Sequence, residues 1–318
     1  MKHTSAGKRE NKMGAAGFYE DLFASQSEAA NAAGKRWAYG TAGTIARQAQ
    51  VFTHLTPITS ATAELVGSNE AVGVVVDARN RPEGVVRPSD LFRVMLQHAA
   101  HSVPQLGLEE AISTPLVARH DEPTWLLASR CAAQNAESAI VVDDDGELIG
   151  MCRASDLLGE LSDPAIAQCA PSSERPEVPG AGQAFPFARQ PVLQFMATAE
   201  TASYDEPLST LTARVCRAQS HVVFVVDDHQ RPVGLVTPTN VLQSAAAHRH
   251  NSLATLTAAE VNLTRAECVD CMQSVEDAAN LFAMLGVHWL AVCDAGALVG
   301  ALSAEQVLRL AVASMPAG

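Results

Sequence analysis

Short runs of β-branched and other apolar residues recur four times along the chain, and each run ends in a polar turn. A glycine, two apolar residues and the start of a helical pattern follow every turn. The four copies read VVVDARNRPEGVVRPSDLF from Val74, IVVDDDGELIGMCRASDLL from Ile140, FVVDDHQRPVGLVTPTNVL from Phe224 and LAVCDAGALVGALSAEQVL from Leu290. Each copy therefore predicts a strand, a turn, a second strand and a helix.

The spacing within the copies is constant. The first strand closes on Asp77, Asp143, Asp227 or Cys293, and a glycine follows seven positions later, as Gly84, Gly150, Gly234 or Gly300. Six positions beyond the glycine a polar residue stands at the helix start, as Asp90, Asp156, Asn240 or Gln306. Four copies without a register slip indicate a true internal repeat.

The distances between the copies group them into two pairs. Successive glycines are 66, 84 and 66 residues apart, and the additional residues fall in a segment rich in Pro, Gly, Ser and Ala, which predicts a linker. Pairing is expected because one such unit has a sheet face that it cannot cover alone. We therefore divide the chain into an arm (1–47), a first pair (48–162), a linker (163–189) and a second pair (190–318).

An additional helix precedes the first core strand of each copy. In the fourth copy, Val275, Ala278 and Phe282 recur at helical spacing after the capping sequence SVED. In the second and third copies, Pro123 and Pro207 stand where a first helical turn tolerates proline. A short strand lies upstream, so the predicted fold is α/β (α+β), with four βαββα repeats arranged as two pairs.

Composition and charge exclude several function classes. The net charge of −13 argues against nucleic-acid binding, because a phosphate backbone needs clustered Lys and Arg. No apolar run approaches the ~18 residues that a membrane helix needs, and no hydrophobic signal segment follows the basic N-terminus. Seven cysteines at irregular spacing predict reduced thiols. We expect a cytoplasmic protein that binds neither nucleic acid nor membrane.

The sequence carries no motif for catalysis or metal binding. Gly34-Lys35 is followed by Arg36, which breaks the Walker pattern, and neither G-x-S-x-G nor H-E-x-x-H occurs. Cys268-x-x-Cys271 has no second pair at zinc-finger spacing, and residues three apart in a predicted strand point to opposite faces. We expect a protein that is not an enzyme, with no metal site and no required cofactor.

The run of strand, Asp, turn, Gly, two apolar residues and helix-start Asp resembles the CBS domain, named for cystathionine β-synthase. The resemblance covers about 48–162 and 190–314, and the arrangement of four copies is similar to the γ subunit of AMP-activated protein kinase. It implies a regulatory sensor that binds an adenosyl ligand (AMP, ADP, ATP, an NAD-type dinucleotide or S-adenosylmethionine) and acts on a partner protein. CBS pairs often dimerise into flat discs, so both a homodimer and a monomer whose four copies complete the disc are open.

The resemblance also assigns ligand contacts in the first pair. A helix N-terminus attracts phosphate, and a carboxylate one turn in can accept both hydroxyls of a ribose. The resemblance implies the ribose role for Asp90 and Asp156. Arg87 and Arg153 replace the family's phosphate-contacting Thr or Ser, and a guanidinium binds phosphate well.

The second pair departs from this pattern. Asn240 and Gln306 replace the ribose carboxylate, and an amide loses the charge-assisted contact, so we expect weaker nucleoside binding there. The other candidates are two hydroxyl residues at the phosphate-contact position and two histidines where the kinase γ subunit carries phosphate-contacting basic residues, namely Thr237, Ser303, His221 and His288.

Simple helix capping is the alternative interpretation of all these helix starts. Thr237-x-x-Asn240 and Ser303-x-x-Gln306 have capping spacing, and the helix dipole alone favours an Asp in the first turn. Capping is favoured in the second pair, and ligand contact at the two Asp residues of the first. The two histidines lie beside apolar strands, where a structural role is more common. The lost carboxylates also support a rival function, a ligand-free scaffold for dimerisation or protein interaction.

The arm contains an apolar group, Phe18, Tyr19, Leu22 and Phe23, at spacing compatible with a helix. The favoured interpretation is a helix that packs on the core. The alternative is a docking segment for the regulated partner, because four repeats alone have no effector domain.

Overall fold

The structure is a computed structural model that describes residues 40–68, 72–97, 106–162, 187–217, 221–247 and 256–312. The helix expected in the arm around Phe18 and most of the expected linker lie outside the described residues. The described part has the mixed α/β fold that the sequence predicts.

The first pair opens with a short helix, α1 (Ala42–Ile45). The first repeat consists of β1 (Gln50–Phe52), α2 (Ile58–Ser68), β2 (Gly73–Val76), β3 (Pro82–Val86) and α3 (Pro88–Gln97). The second repeat consists of β4 (Leu116–Arg119), α4 (Thr124–Gln134), β5 (Ser138–Val142), β6 (Leu148–Arg153) and α5 (Ala154–Ser162).

The second pair follows the same order. The third repeat consists of β7 (Thr201–Ser203), α6 (Leu208–Arg217), β8 (Val223–Val226), β9 (Pro232–Val236) and α7 (Pro238–Ala247). The fourth repeat consists of β10 (Cys268–Asp270), α8 (Val275–Leu285), β11 (Trp289–Asp294), β12 (Ala297–Ser303) and α9 (Ala304–Val312). The predicted order of strand, helix, strand, strand and helix is confirmed in all four repeats.

Each repeat forms its own three-stranded sheet with the strands in chain order. The first strand runs parallel to the second, and the second runs antiparallel to the third. In three repeats an Asp directly after the second strand of the sheet accepts backbone hydrogen bonds from the turn that leads to the third strand. These residues are Asp77, Asp143 and Asp227. Asp143 Oδ1, for example, accepts the backbone N–H groups of Asp145 (2.9 Å) and Glu147 (2.8 Å). This Asp therefore has a structural role.

The sheets of the first and second repeats pack face to face, as do those of the third and fourth. Val74 and Val85 share a buried cluster with Ile140 and Met151 of the second repeat. The equivalent cluster of the second pair contains Phe224, Leu235, Ala291 and Ala301. The pairing inferred from the glycine spacing is therefore confirmed.

Helices join the two pairs. Helices α2 and α3 of the first repeat pack on α7 of the third, and Phe92 shares a buried cluster with Leu211. Helices α4 and α5 of the second repeat pack on α8 and α9 of the fourth, with Leu157 and Phe282 in one cluster. The first repeat thus faces the third and the second faces the fourth, within one chain.

The segment ahead of each repeat packs on the other member of the same pair. These four exchanged segments are 40–47, 106–113, 187–197 and 256–264. Each ends in a backbone bridge to the third strand of the partner repeat, and these bridges are Arg47 to Met151, Ser113 to Val85, Ala197 to Ala301 and Thr264 to Leu235. The exchange ties the two repeats of each pair together.

The exchanged segments explain why each repeat has a glycine seven positions after the first core strand closes, namely Gly84, Gly150, Gly234 and Gly300. A Cβ atom on Gly150 would lie inside the contact distance of the Arg47 carbonyl oxygen, and one on Gly234 would lie 2.7 Å from Leu263 Cβ. The repeat glycines have ordinary negative φ angles, because none is among the glycines with positive φ. The glycine is therefore required by the close approach of the exchanged segment and not by its own conformation.

Two boundaries of the sequence-based division, the end of the arm and the end of the linker, do not coincide with the starts of the exchanged segments. The sequence places residues 40–47 in the arm and 187–189 in the linker, yet Ala42 is fully buried and Ala188 is 1% exposed. Both stretches are parts of exchanged segments that pack on the repeats. The physical reason is that a single helical turn and one backbone bridge carry no hydrophobic periodicity that the sequence could reveal.

Candidate functional site

All four helix starts share one capping contact. The polar side chain six residues beyond the glycine accepts the backbone N–H three residues before it. The four contacts run from Arg87 N to Asp90 Oδ2 (3.3 Å), from Arg153 N to Asp156 Oδ2 (3.0 Å), from Thr237 N to Asn240 Oδ1 (2.8 Å) and from Ser303 N to Gln306 Oε1 (2.8 Å). Capping is therefore present at every candidate position, and the sites differ only in what else each side chain contacts.

Asp90 is the more exposed of the two helix-start carboxylates of the first pair. Its side chain is 19% exposed, and its oxygens lie 3.8 Å from Arg87 Nη1 and 3.7 Å from Arg93 Nη2. The Ser113 hydroxyl, at the end of an exchanged segment, donates to Oδ2 at 3.4 Å. These contacts are long enough to leave hydrogen-bonding capacity on the carboxylate.

Asp90 lines a cleft of about 340 Å³ between the first and third repeats. The lining residues are Ser89, Asp90, Phe92, Arg93, Gln97, Val215, Cys216, His221 and Pro238. His221 has a left-handed backbone (φ 53°), and its Nδ1 lies 3.3 Å from the Val215 carbonyl oxygen, which places the ring at the cleft wall. The structure thus brings together two predicted candidates, Asp90 and His221, from different pairs. The resemblance implied a cleft between paired repeats, whereas this cleft lies between the pairs.

Asp156 is far less accessible than Asp90, because its side chain is 5% exposed. Its Oδ1 lies 2.7 Å from Nη2 of Arg47, and its Oδ2 lies 3.4 Å from Nε of Arg153. Sequence reasoning missed Arg47. A signal existed, because Arg47 lies 66 residues before Ser113, which is the glycine interval within a pair.

Asn240 has all its hydrogen-bonding groups engaged inside the protein, and it is 3% exposed. Its amide donates to the Asn262 carbonyl oxygen (2.7 Å) and the Thr264 hydroxyl (3.2 Å). Its Oδ1 accepts the Thr237 hydroxyl at 2.7 Å, in addition to the capping bond. The hydroxyl that the resemblance assigned to phosphate is therefore bonded to the protein's own amide.

The fourth repeat carries a carboxylate at its helix start. Ser303 is 4% exposed, and its Oγ accepts the backbone N–H of Gln306 at 3.2 Å. Burial raises the pKa of Glu305, and the nearby negative charge of Glu137 raises it further, while a hydrogen bond from Ser303 and the charge of His288 oppose the rise. Glu305 and Glu137 therefore lie close enough at this helix start to influence each other's charge.

Glu137, the neighbour of Glu305, also contacts the first repeat, because its Oε2 lies 4.0 Å from Nε of Arg87. The Arg87 guanidinium donates to the Ser113 hydroxyl at 2.8 Å. Sequence reasoning missed Glu137, although it lies six residues before Asp143, just as His221 lies six before Asp227. Arg87 is therefore already surrounded by polar partners of this chain.

The described residues contain no group of three or more His, Cys, Asp or Glu side chains placed to hold a metal ion. Cys268 is exposed on β10, whereas Cys271 is buried in the turn directly after that strand and does not belong to the strand that the sequence predicts for it. Across the same part of the chain, no helix combines the length and the apolar character that crossing a membrane requires.

Comparison with known proteins agrees with this architecture. Residues 110–163, which include all five elements of the second repeat, match the family model of the CBS domain. No curated protein matched the sequence.

Two solved structures align with most of the chain. The first is a Methanocaldococcus jannaschii protein described as a proposed archaeal homologue of γ-AMPK, with 14% identity, a TM-score of 0.66 and coverage of 85% of this chain and 99% of its own. The second is an uncharacterized conserved protein from Pyrococcus horikoshii, with 16% identity, a TM-score of 0.50 and the same coverage. At such low identity the alignments show the shared fold.

The family match shows a CBS domain at residues 110–163, over the second repeat. All four repeats share the element order of that domain and form two pairs, and the fold is similar to that of the archaeal γ-AMPK-like protein.

Proposed function

We propose that this chain is a non-catalytic regulatory sensor that binds an adenine nucleotide of the AMP, ADP or ATP type in the cleft at Asp90. The observation that carries the proposal is that one cleft contains Asp90, Arg93 and His221 from two different pairs. Its volume of about 340 Å³ falls in the range of known small-molecule sites, roughly 300–1,000 Å³.

The side chains of the cleft suit the parts of a nucleotide. The Asp90 carboxylate can accept the two hydroxyls of a ribose. The N-terminus of α3 and the Arg93 guanidinium supply positive potential for phosphate, and the His221 ring lies on the wall of the same cleft. Phe92 and Val215 supply apolar surface for the base.

The position of the cleft supports a regulatory role. Its residues come from α3 in the first pair and from the end of α6 and the start of α7 in the second. A ligand there would contact both pairs and favour one relative orientation of them. We propose that a partner protein responds to this change in orientation.

Asp90→Asn is expected to weaken nucleotide binding by about tenfold or more, because a hydrogen bond to a charged group contributes about 1.5–3 kcal/mol. Asn keeps an oxygen that can accept the Arg87 N–H, so the helix cap is preserved. The measurement is calorimetric titration with AMP, ADP, ATP, NAD and S-adenosylmethionine, with recovery of unchanged nucleotide afterwards.

Asp145→Asn is the matched control, because Asp145 is exposed in a hairpin turn of the second repeat. It removes the same charge and should leave the affinity unchanged. Binding that is equally strong in the wild type and in Asp90→Asn would place the ligand elsewhere.

A ligand-free scaffold is the second candidate function. It is favoured by the internal contacts of Asp156 and Asn240, which leave two of the four helix starts without open polar groups. If none of the five compounds raises the melting temperature at millimolar concentration, the scaffold is supported and the sensor proposal fails.

A further inference from the structure

We propose that Arg47 is an internal competitor that closes the second repeat to ligand and thereby limits the chain to the site at Asp90. This inference rests on the proposed function, because it concerns which repeats bind. The Asp156 carboxylate carries the feature that the first repeat uses, yet Arg47 occupies it from within the chain.

The two Asp sites differ in exposure and in charge compensation. The Asp156 side chain is 5% exposed against 19% for Asp90. Arg47 lies 2.7 Å from Oδ1, and the Arg153 backbone and side chain contact Oδ2 at 3.0 and 3.4 Å. Both oxygens of Asp156 therefore have charged or N–H partners at hydrogen-bonding distance.

The exchanged segments show where the difference originates. Each ends beside the helix start of the partner repeat, on Arg47, Ser113, Ala197 or Thr264. Ser113 and Thr264 contact Asp90 and Asn240 through short neutral hydroxyls. Of these four end residues only Arg47 is charged, so only it can neutralise the carboxylate that it meets.

The Arg47 side chain can be replaced without moving its segment. The backbone of Arg47 exchanges two hydrogen bonds with Met151, of 2.9 and 2.8 Å. Its side chain is 59% exposed, so a smaller residue leaves no buried cavity. Removing the guanidinium therefore frees Oδ1 of Asp156 and preserves the fold.

The test is the binding stoichiometry of AMP, ADP and ATP, measured by calorimetry on the full chain. The wild type is expected to bind one ligand and Arg47→Ser to bind two. Arg265→Ser is the matched control, because Arg265 follows Thr264 near the end of another exchanged segment and pairs with Glu267 instead of a helix start. It should bind one. The double variant Arg47→Ser/Asp156→Asn should also return to one, because it removes the uncovered carboxylate.

The outcomes separate this inference from the proposed function. A wild type with one site and an unchanged Arg47→Ser variant overturns the role of Arg47 and leaves the sensor intact. Two sites in the wild type also overturn it. No binding in the wild type and one site in Arg47→Ser would support the role of Arg47 and reject the site at Asp90. No binding in either protein overturns both.

Discussion

Arg130→Met is expected to lower the free energy of unfolding by about 3–5 kcal/mol, because it leaves a buried carboxylate without its partner. Arg130 Nη1 donates to both carboxylate oxygens of Glu122, at 2.9 and 2.7 Å, and its Nη2 donates to the Val117 carbonyl oxygen at 2.9 Å. The two side chains are 9% and 6% exposed. Urea unfolding at neutral pH measures the effect.

The third repeat provides a matched control. Arg214 contacts Glu206 at the same sequence separation of eight residues, but these side chains are 28% and 19% exposed. Arg214→Met should therefore cost about 1 kcal/mol, in the range of solvent-screened pairs. Equal losses in the two variants would show that burial does not set the strength of the Arg130 pair.

The pH dependence of the Arg130→Met defect has a definite sign. Burial raises the pKa of Glu122 and Arg130 opposes that rise, so removing Arg130 raises the pKa further. A group with a raised pKa in the folded state loses stability as the pH rises through that pKa, and it regains stability when it is protonated. The deficit relative to wild type should therefore shrink as the pH falls from neutral into the acid range. A deficit that grows in acid would contradict this assignment.

Gly150→Ala is expected to cost about 2–3 kcal/mol, because the added Cβ would overlap the backbone carbonyl oxygen of Arg47. The obstacle is backbone held by two hydrogen bonds to Met151, so it cannot rotate away as a side chain could. The measurement is the urea midpoint of unfolding.

Gly67→Ala is the control for Gly150→Ala. Gly67 lies in α2, and a Cβ atom there meets nothing within 4 Å. This variant should be as stable as the wild type or slightly more so, because Ala favours a helix over Gly. An unchanged midpoint in Gly150→Ala would mean that the exchanged segment does not cross the strand at this point.

The sequence was sufficient to predict the repeat, its element order and the pairing. The fixed interval from Asp143 to Gly150 reflects a hairpin turn that an Asp fixes in three of the four repeats, and a close approach of the exchanged segment that leaves no room for a side chain at the glycine. Both constraints leave a signal in the sequence. Helix α8 was predictable from Val275, Ala278 and Phe282, because one face of it is buried.

The exchanged segments and their contacts were not predictable in this way. Arg47 and Asp156 are far apart in sequence, and a salt bridge between them has no periodic signature. The shared sequence D-E-P of the second and third repeats was visible, but nothing local showed that its Glu would meet an Arg eight residues later. Such pairs are set by tertiary packing.

The residue types of the candidate site were predictable from the sequence, but the repeats between which the site lies were not. Asp90 and His221 were identified separately, and the structure places them in one cleft because the first repeat faces the third. Arg93 was missed, although it lies one helical turn after Asp90 and contacts it.

The proposal that a nucleotide occupies the Asp90 cleft can be tested most directly at Cys216. This thiol lines the cleft, whereas the exposed Cys268 lies on β10 in the fourth repeat. Burial raises the pKa of Cys216, so labelling with N-ethylmaleimide is best run at mildly alkaline pH and read at each cysteine by mass spectrometry. Saturating AMP, ADP or ATP should slow the labelling of Cys216 in the wild type, leave Cys268 unchanged, and have no effect in Asp90→Asn. Labelling of Cys216 at the same rate with and without all three nucleotides would contradict the account.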